Sequence, residues 1–188
     1  MPVVELHLIE GYGDDAKTRL CSALTDAVRG VLPAPPDAVT VMIHDMAPAN
    51  YMRGGQHRAP APALPDPKRL VRQYLDAMEA RDLDTARALL GEGFAMTFPA
   101  TEPMTSPEQL IEWSKPRYRF VKKTYEASEA FRGDGGAAVV YCRGTLSGEW
   151  PDGTPFDGIR FIDRFEVTGD RITRQDVWND MAETRAGV

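Results

Sequence analysis

The chain has 188 residues, with 22 Lys plus Arg against 28 Asp plus Glu and a formal net charge of −6. At about 150 residues per domain this length allows one large domain or two small ones, and an apolar fraction of 43% excludes wholesale disorder. The acidic balance argues against nucleic-acid binding, no apolar run approaches the roughly 20 residues of a membrane helix, and Met1–His7 lacks the basic and apolar regions of a secretory signal.

The first predicted element is a strand at Val3–Ile9, broken by Gly11-Tyr12-Gly13. Asp14 is placed to cap a helix, and Asp15 adds a second negative charge to its first turn. Ala16, Leu20, Leu24, Ala27, Val28 and Val31 then recur at helical spacing until Pro33, Pro35 and Pro36 stop it. Val39–His44 reads as a second strand, parallel to the first through a right-handed crossover. Gly54-Gly55 permits a tight turn. Such a βαβ piece has a thin core, so it is expected to assemble with copies of itself.

Residues 59–67, Ala-Pro-Ala-Pro-Ala-Leu-Pro-Asp-Pro, suit a semi-rigid spacer. Before the spacer the charges divide as 5 basic and 7 acidic, so that piece is no basic arm. The expected organisation is residues 1–58, a linker at 59–67, a second domain at 68–181 and a tail at 182–188.

The second domain opens with Pro67 in the first turn of a helix carrying Leu70, Val71, Tyr74, Leu75 and Met78. A shorter helix follows at Leu83–Leu90, then a strand at Phe94–Phe98. Ser106-Pro107-Glu108-Gln109 reads as a capping box opening a helix with Leu110, Ile111 and Trp113. Strand-like stretches near 117–131, 137–149, 156–168 and 171–181 are separated by turn sequences at 133–136, 151–154 and Gly169-Asp170. Helices followed by a meander predict an α+β fold with helices on one sheet face. Cys21 and Cys142 have no partners at metal-ligand spacing and read as buried thiols of a cytoplasmic protein.

Pro2 directly after Met1, His7, Glu10-Gly11, the helix opening at Asp14, the run Val39–Met46 and Asn50-Tyr51 before Gly54-Gly55 together resemble the 4-oxalocrotonate tautomerase family. The resemblance implies a small βαβ domain whose copies pair and build dimers or trimers of dimers. It also implies that Pro2, once Met1 is removed, is the catalytic group. A terminal secondary amine in an apolar site can be neutral near pH 7 and move a proton α to a carbonyl. With Met1 attached, Pro2 is an amide without basicity. The two arginines common in that family are replaced by Tyr12 and Thr40, which removes the bidentate grip on a dicarboxylate. His7, Tyr12, Tyr51 and Arg53 remain as candidate substrate-binding residues, with a structural or solvated role as the alternative for His7 and Arg53.

The element order of residues 68–181, with Asp163-Arg164-Phe165-Glu166-Val167, Gly169-Asp170-Arg171-Ile172 and Asp176, resembles the SnoaL-like branch of the nuclear transport factor 2-like superfamily. The resemblance implies a cone-shaped α+β domain, a curved antiparallel sheet wrapped around helices with a pocket inside. Members of that superfamily include polyketide cyclases, ketosteroid isomerases and epoxide hydrolases. Strand parity places Ile159, Phe161, Asp163, Phe165 and Val167 on one covered face, and Ile172, Arg174, Asp176, Trp178 and Asp180 on one face of the next strand. Asp163 and Asp176 are therefore the candidate catalytic carboxylates, or members of an ion-pair network with Arg143 or Arg174. Trp113, Tyr118, Tyr141 and Trp178 are candidate pocket residues, with a place in the core as the alternative for Trp113, Tyr118 and Tyr141. Phe161 stands where the epoxide hydrolase pattern has an Arg, which argues against that chemistry.

The expected function is cofactor-independent and metal-free isomerisation or tautomerisation of small carbonyl or polyketide-like metabolites, in secondary metabolism. The second domain would contribute aldol-type cyclisation or isomerisation. Alternatively the first domain is only an assembly module, and the second holds the sole site, whether cyclase, epoxide hydrolase or non-catalytic binder. The expected partners are a small-molecule substrate and further copies of the chain, with no nucleic acid or membrane.

Overall fold

The computed structural model describes residues 1–133 and 135–187; Asp134 of the expected turn at 133–136 and Val188 of the expected tail lie outside the described residues. The chain divides into two compact units, Met1–Leu64 and Pro65–Val188.

In the first unit, strand β1 (Val3–Ile9) and strand β2 (Thr40–Met46) pair in parallel, with Val3 opposite Thr40 and Ile9 opposite Met46. Helix α1 (Asp14–Arg29) connects them. Its N-cap is Gly13, not Asp14. Asp14 and Asp15 lie in the first helical turn, where their charges complement the exposed amide dipoles. Lys17 of α1 ties to Asp45 of β2 by an ion pair. The second strand begins one residue later and ends two residues later than expected. A two-residue hairpin follows, β3 (Met52–Arg53) and β4 (Gln56–His57), turned by Gly54 and Gly55. Both glycines have φ near +60 to +75°, the left-handed pair that a tight hairpin turn of this hand demands. No residue of this unit is fully buried, and Val3 and Met42 are 52% and 38% exposed on the sheet face away from α1.

The second unit begins with helix α2 (Pro67–Ala80), capped by the Asp66 side chain on the Lys68 amide at 3.0 Å. Its Leu70, Val71, Tyr74, Leu75 and Met78 are buried. Helix α3 (Leu83–Ala88), strand β5 (Leu90–Thr97) and helix α4 (Pro107–Ser114) follow. Ser106 accepts from the Gln109 amide at 3.4 Å, while the Gln109 side chain reaches back to the Thr105 amide at 2.6 Å. The box therefore closes one residue upstream of the expected one.

Strands β6 (Phe120–Arg132), β7 (Ala138–Glu149), β8 (Pro155–Thr168) and β9 (Arg171–Asn179) form an antiparallel meander. The sheet order is β5-β9-β8-β7-β6, and β5 lies parallel to β9. The sheet is thus antiparallel with one parallel edge. Residues 182–186, expected as tail, belong to helix α5 (Met181–Ala186), whose Met181 is buried.

The helices cover one face of this sheet, as expected. Val140, Cys142, Leu146, Phe161, Phe165 and Ile172 from the strands pack with Tyr74 and its neighbours on α2. The Tyr74 ring meets Phe165 edge-on at 6.1 Å and Phe94 at 6.3 Å. The backbone of β6, paired antiparallel with β7, stands close over the inner face of that strand. A Cβ at inward-facing Gly144 would lie 1.9 Å from the Thr124 carbonyl oxygen, and one at Gly148 only 2.2 Å from that of Phe120. Glycine at these positions permits the curvature that makes a cone.

Gly144→Ala is therefore expected to cost about 1–3 kcal/mol through forced movement of β6. Gly135→Ala, where a Cβ meets nothing within 4 Å, should stay within about 0.5 kcal/mol of the parent. Urea denaturation of the two variants measures the contrast.

Candidate functional site

The inner face of the curved sheet and the helices enclose a cavity of about 340 Å³ within the second unit, a size in the range of small-molecule sites. Tyr74, Leu75 and Met78 of α2 contribute to its wall, as do Phe98, Trp113 and Tyr118 and the strand residues Val121, Leu146, Phe161 and Val177. Exposed residues Glu79, Arg81, Arg119 and Glu183 also border it, where it meets solvent. Arg117 stacks over the Trp113 ring at 4.3 Å, and Phe98 tilts against the same ring at 5.1 Å.

The parity of β8 places Asp163 in this cavity. It is 0% exposed, opposite Cys142 on β7 and Val177 on β9. Its Oδ2 accepts from Lys123 Nζ, while its buried Oδ1 has no hydrogen-bond partner among the described residues. Burial pushes the Asp163 carboxyl above its ordinary range, and the neighbouring Lys123 ammonium only partly offsets that effect. Lys123 comes from β6, where Val121, Lys123 and Tyr125 alternate inward. Its side chain is 19% exposed, and Nζ lies 4.4 Å from the centre of the Phe161 ring. The cation that meets Asp163 is thus Lys123, and neither Arg143 nor Arg174. Nearby, the Tyr74 hydroxyl donates to Gln175 Oε1 at 3.3 Å. Burial, and then the Asp163 charge, push the Tyr74 and Tyr125 phenols upward, so both are neutral near pH 7. Burial raises the Tyr118 phenol and the Cys142 thiol as well.

Asp176 is not in the cavity. The pairing of β8 with β9 steps from Val167–Ile172 to Glu166–Arg174, so Thr173 is an extra residue on β9. This bulge reverses the parity beyond it. Gln175, Val177 and Asn179 line the cavity, whereas Arg174, Asp176 and Trp178 turn to the opposite face. There Asp176 accepts from Arg164 at 3.2 Å and from Arg174 at 2.8 Å, and Arg164 also holds Glu166 at 2.6 Å. Trp178 is 53% exposed. Tyr141, opposite Arg164 across the strand pair, stacks on Phe131 at 6.0 Å on this same outer face. Of the candidate residues in this unit, the structure brings Asp163, Trp113 and Tyr118 together and leaves Asp176, Tyr141 and Trp178 outside. Lys123 and Gln175 are cavity residues that the sequence reading missed.

In the first unit Pro2 follows Met1 as an amide, and its carbonyl accepts from the Thr40 amide at 3.0 Å. Tyr12 follows the far end of β1, and a seven-residue strand spans about 23 Å. One protomer therefore does not bring Pro2 and Tyr12 together. Tyr51 is half-buried and Arg53 exposed, both beyond the end of β2. His7 is exposed at mid-strand and stacks on His44 of β2, ring centres 4.9 Å apart.

Residues 2–58 match the family described as tautomerase enzyme, and residues 71–175 match the SnoaL-like domain. A 2-hydroxymuconate tautomerase of Pseudomonas putida is 34% identical over 56 residues, which is 30% of this chain and 89% of that protein. An NTF2-like protein from Burkholderia thailandensis has a TM-score of 0.53 at 16% identity, covering 65% of this chain and 97% of that one. An LEH-like epoxide hydrolase of M. tuberculosis scores 0.52 at 20% identity, covering 68% of this chain and 88% of that one. Both likenesses establish the fold of the second unit.

Removing the cation alone strands a buried carboxylate. Lys123→Met is expected to lose about 3–5 kcal/mol at pH 7. The loss should shrink on acidification, because a carboxyl with a raised folded-state value binds its proton more tightly folded than unfolded. The double variant Lys123→Met/Asp163→Leu should return to within about 1 kcal/mol of the parent. Denaturant titrations at pH 7 and 5 check all three statements.

Proposed function

From a chain that belongs to the tautomerase family over residues 2–58 and to the SnoaL-like family over residues 71–175, we infer an isomerase-type enzyme of small carbonyl compounds whose second unit carries an acid–base site at Asp163. The observation that carries this reading is the fully buried carboxylate, paired through one oxygen only, in an aromatic and aliphatic cavity. A carboxylate raised by burial is a stronger base than a solvated one and can return its proton near neutral pH. It would take a proton from the carbon beside a substrate carbonyl, while the Lys123 ammonium stabilises the resulting enolate oxygen. Reprotonation at another carbon is isomerisation; attack of the enolate on a second carbonyl of the same molecule is aldol cyclisation. The cavity walls suit an aromatic or polyketide-like body.

In the first unit, removal of Met1 would turn Pro2 into the proton-transferring amine of a keto–enol tautomerase. Its site would be completed by a second copy of the chain, since Tyr12 lies at the other end of β1. The absence of any fully buried residue in this unit supports assembly. A homo-oligomer follows, and light scattering should give a multiple of 20.8 kDa; a monomer at micromolar concentration overturns this part. A second reading, in which the first unit serves assembly alone, is favoured by Tyr12 and Thr40 at the positions of the family's arginines.

Intact mass establishes whether Met1 is removed, and ketonisation of a phenylenolpyruvate-type enol tests Pro2. If the first unit is catalytic, Pro2→Ala lowers its kcat by about 10²–10⁴, while an unchanged rate leaves only the assembly role. For the second unit, a panel of β-keto and 1,5-dicarbonyl compounds is assayed by mass spectrometry. Asp163→Asn should remove turnover of the compound accepted; a variant that keeps it refutes the assignment.

A further inference from the structure

The electrostatic role given to Lys123 above could be filled by any cation, and this chain otherwise favours arginine. Seventeen of its 22 basic residues are Arg and five are Lys. An Arg beside Asp163 would grip both carboxylate oxygens and never release a proton. The residue present is a Lys, which bonds only Oδ2 and leaves Oδ1 without a partner among the described residues. Its amine sits in a cavity large enough for a small ketone, beside the Phe161 ring, with 19% of the side chain exposed. A largely buried lysine hydrogen-bonded to a group that can take its proton combines a nucleophilic nitrogen with a proton relay.

We propose that Lys123 is a nucleophilic amine that joins carbonyl substrates as an imine, with Asp163 moving the protons. This rests on the reading of the cavity as the second unit's active site, and adds a covalent step to it. The Lys123 ammonium passes its proton to Asp163 Oδ2 along the existing hydrogen bond. The amine nitrogen then attacks the substrate carbonyl carbon; the C–N bond forms, the C=O π bond opens, and the oxygen takes the proton from Asp163. The nitrogen's extra proton returns to the Asp163 carboxylate and from there to the hydroxyl, which leaves as water. The product is an iminium ion: amine nitrogen and carbonyl carbon joined, one water lost, no oxidant or reductant consumed. Asp163 then removes the neighbouring C–H proton to give an enamine, and hydrolysis by the same steps in reverse frees the amine. Burial holds the Asp163 carboxyl above its ordinary value, which is the direction needed for it to accept the ammonium proton. The iminium nitrogen takes up the C–H electron pair and becomes neutral in the enamine, so this route would let the cavity process ketones too weakly acidic for a free enolate.

The test uses the full chain and 2,4-pentanedione, whose imine rearranges to a stable conjugated enaminone seen in the near ultraviolet. Intact mass and peptide mapping are read together. One adduct is expected, on Lys123, formed at least tenfold faster than on Lys17, Lys68, Lys115 or Lys122 of the same molecules. This internal comparison needs no variant and therefore survives any folding defect. Lys123→Arg, which keeps the charge, should lose the adduct, and Asp163→Asn should slow it by about 10²-fold, the weight of a positioned acid–base group. Labelling spread evenly over the five lysines overturns the proposal. So does Lys123→Arg with full turnover and no adduct, in which case the enolate reading of the cavity stands. If Asp163→Asn retains turnover while Lys123 still labels fastest, the enolate reading and the proton-moving role of Asp163 both fall, and only the reactive amine remains.

Discussion

A carboxylate held out of water sets the terms for the second unit. Asp163 is fully buried and engages one cation through one oxygen. An isolated ionised carboxyl in such surroundings is so unfavourable that it must be paired or protonated. The pair with Lys123 depends on a lysine stem long enough to cross from β6 toward β8. It depends equally on Gly144, which interposes no side chain on β7 between Tyr125 and Phe161. The same glycine lets β6 crowd onto β7 and curve the sheet. Fold and site are thus coupled at one strand pair. The curvature that encloses the cavity also brings the cation within reach of the anion.

The fold was largely legible in the residues, because both periodicities are strong where burial is one-sided. The inward series Ile159, Phe161, Asp163, Phe165, Val167 alternates without interruption, and β8 is regular along that stretch on its β7 side. The site was legible only in part, and the reasons are local. Asp176 has the same apparent parity as Ile172, yet Thr173 inserts one residue into β9 and every later side chain changes face. A bulge without a Gly or Pro leaves no mark in the sequence, so Gln175 went unnoticed. Lys123 was hidden by Lys122: two adjacent lysines look like a solvated pair, and only the alternation of Val121 and Tyr125 around the second one points inward. The parallel edge made by β5 depends on a long-range pairing that no local pattern encodes.

The two units differ in how far each stands alone. The second has a contiguous core from Leu70 on α2 to Met181 on α5. The first covers one face of a two-stranded sheet with a single helix and leaves Val3, Met42 and the stacked His7 and His44 rings on the other. The proline-rich segment packs closely on this unit. The absent Gly11 side chain makes room for Pro60, whose Cγ would otherwise stand 2.8 Å from a Cβ, and Arg19 donates to the Leu64 carbonyl at 2.8 Å. Pro60 and Leu64, within the stretch expected as a semi-rigid spacer, therefore pack against the first unit.

The placement of the indole rings has an optical consequence. All three tryptophans, Trp113, Trp150 and Trp178, belong to the second unit, so the first unit is silent in tryptophan emission and shows only Tyr12 and Tyr51. Trp113 borders the cavity under the Arg117 guanidinium, whereas Trp178 stands in solvent on the outer face of the sheet. One emission spectrum thus superposes a blue-shifted reporter of cavity occupancy and a red-shifted reporter of the open sheet face. Far-ultraviolet dichroism, to which both units contribute, supplies by difference the melting of the unit that has no tryptophan.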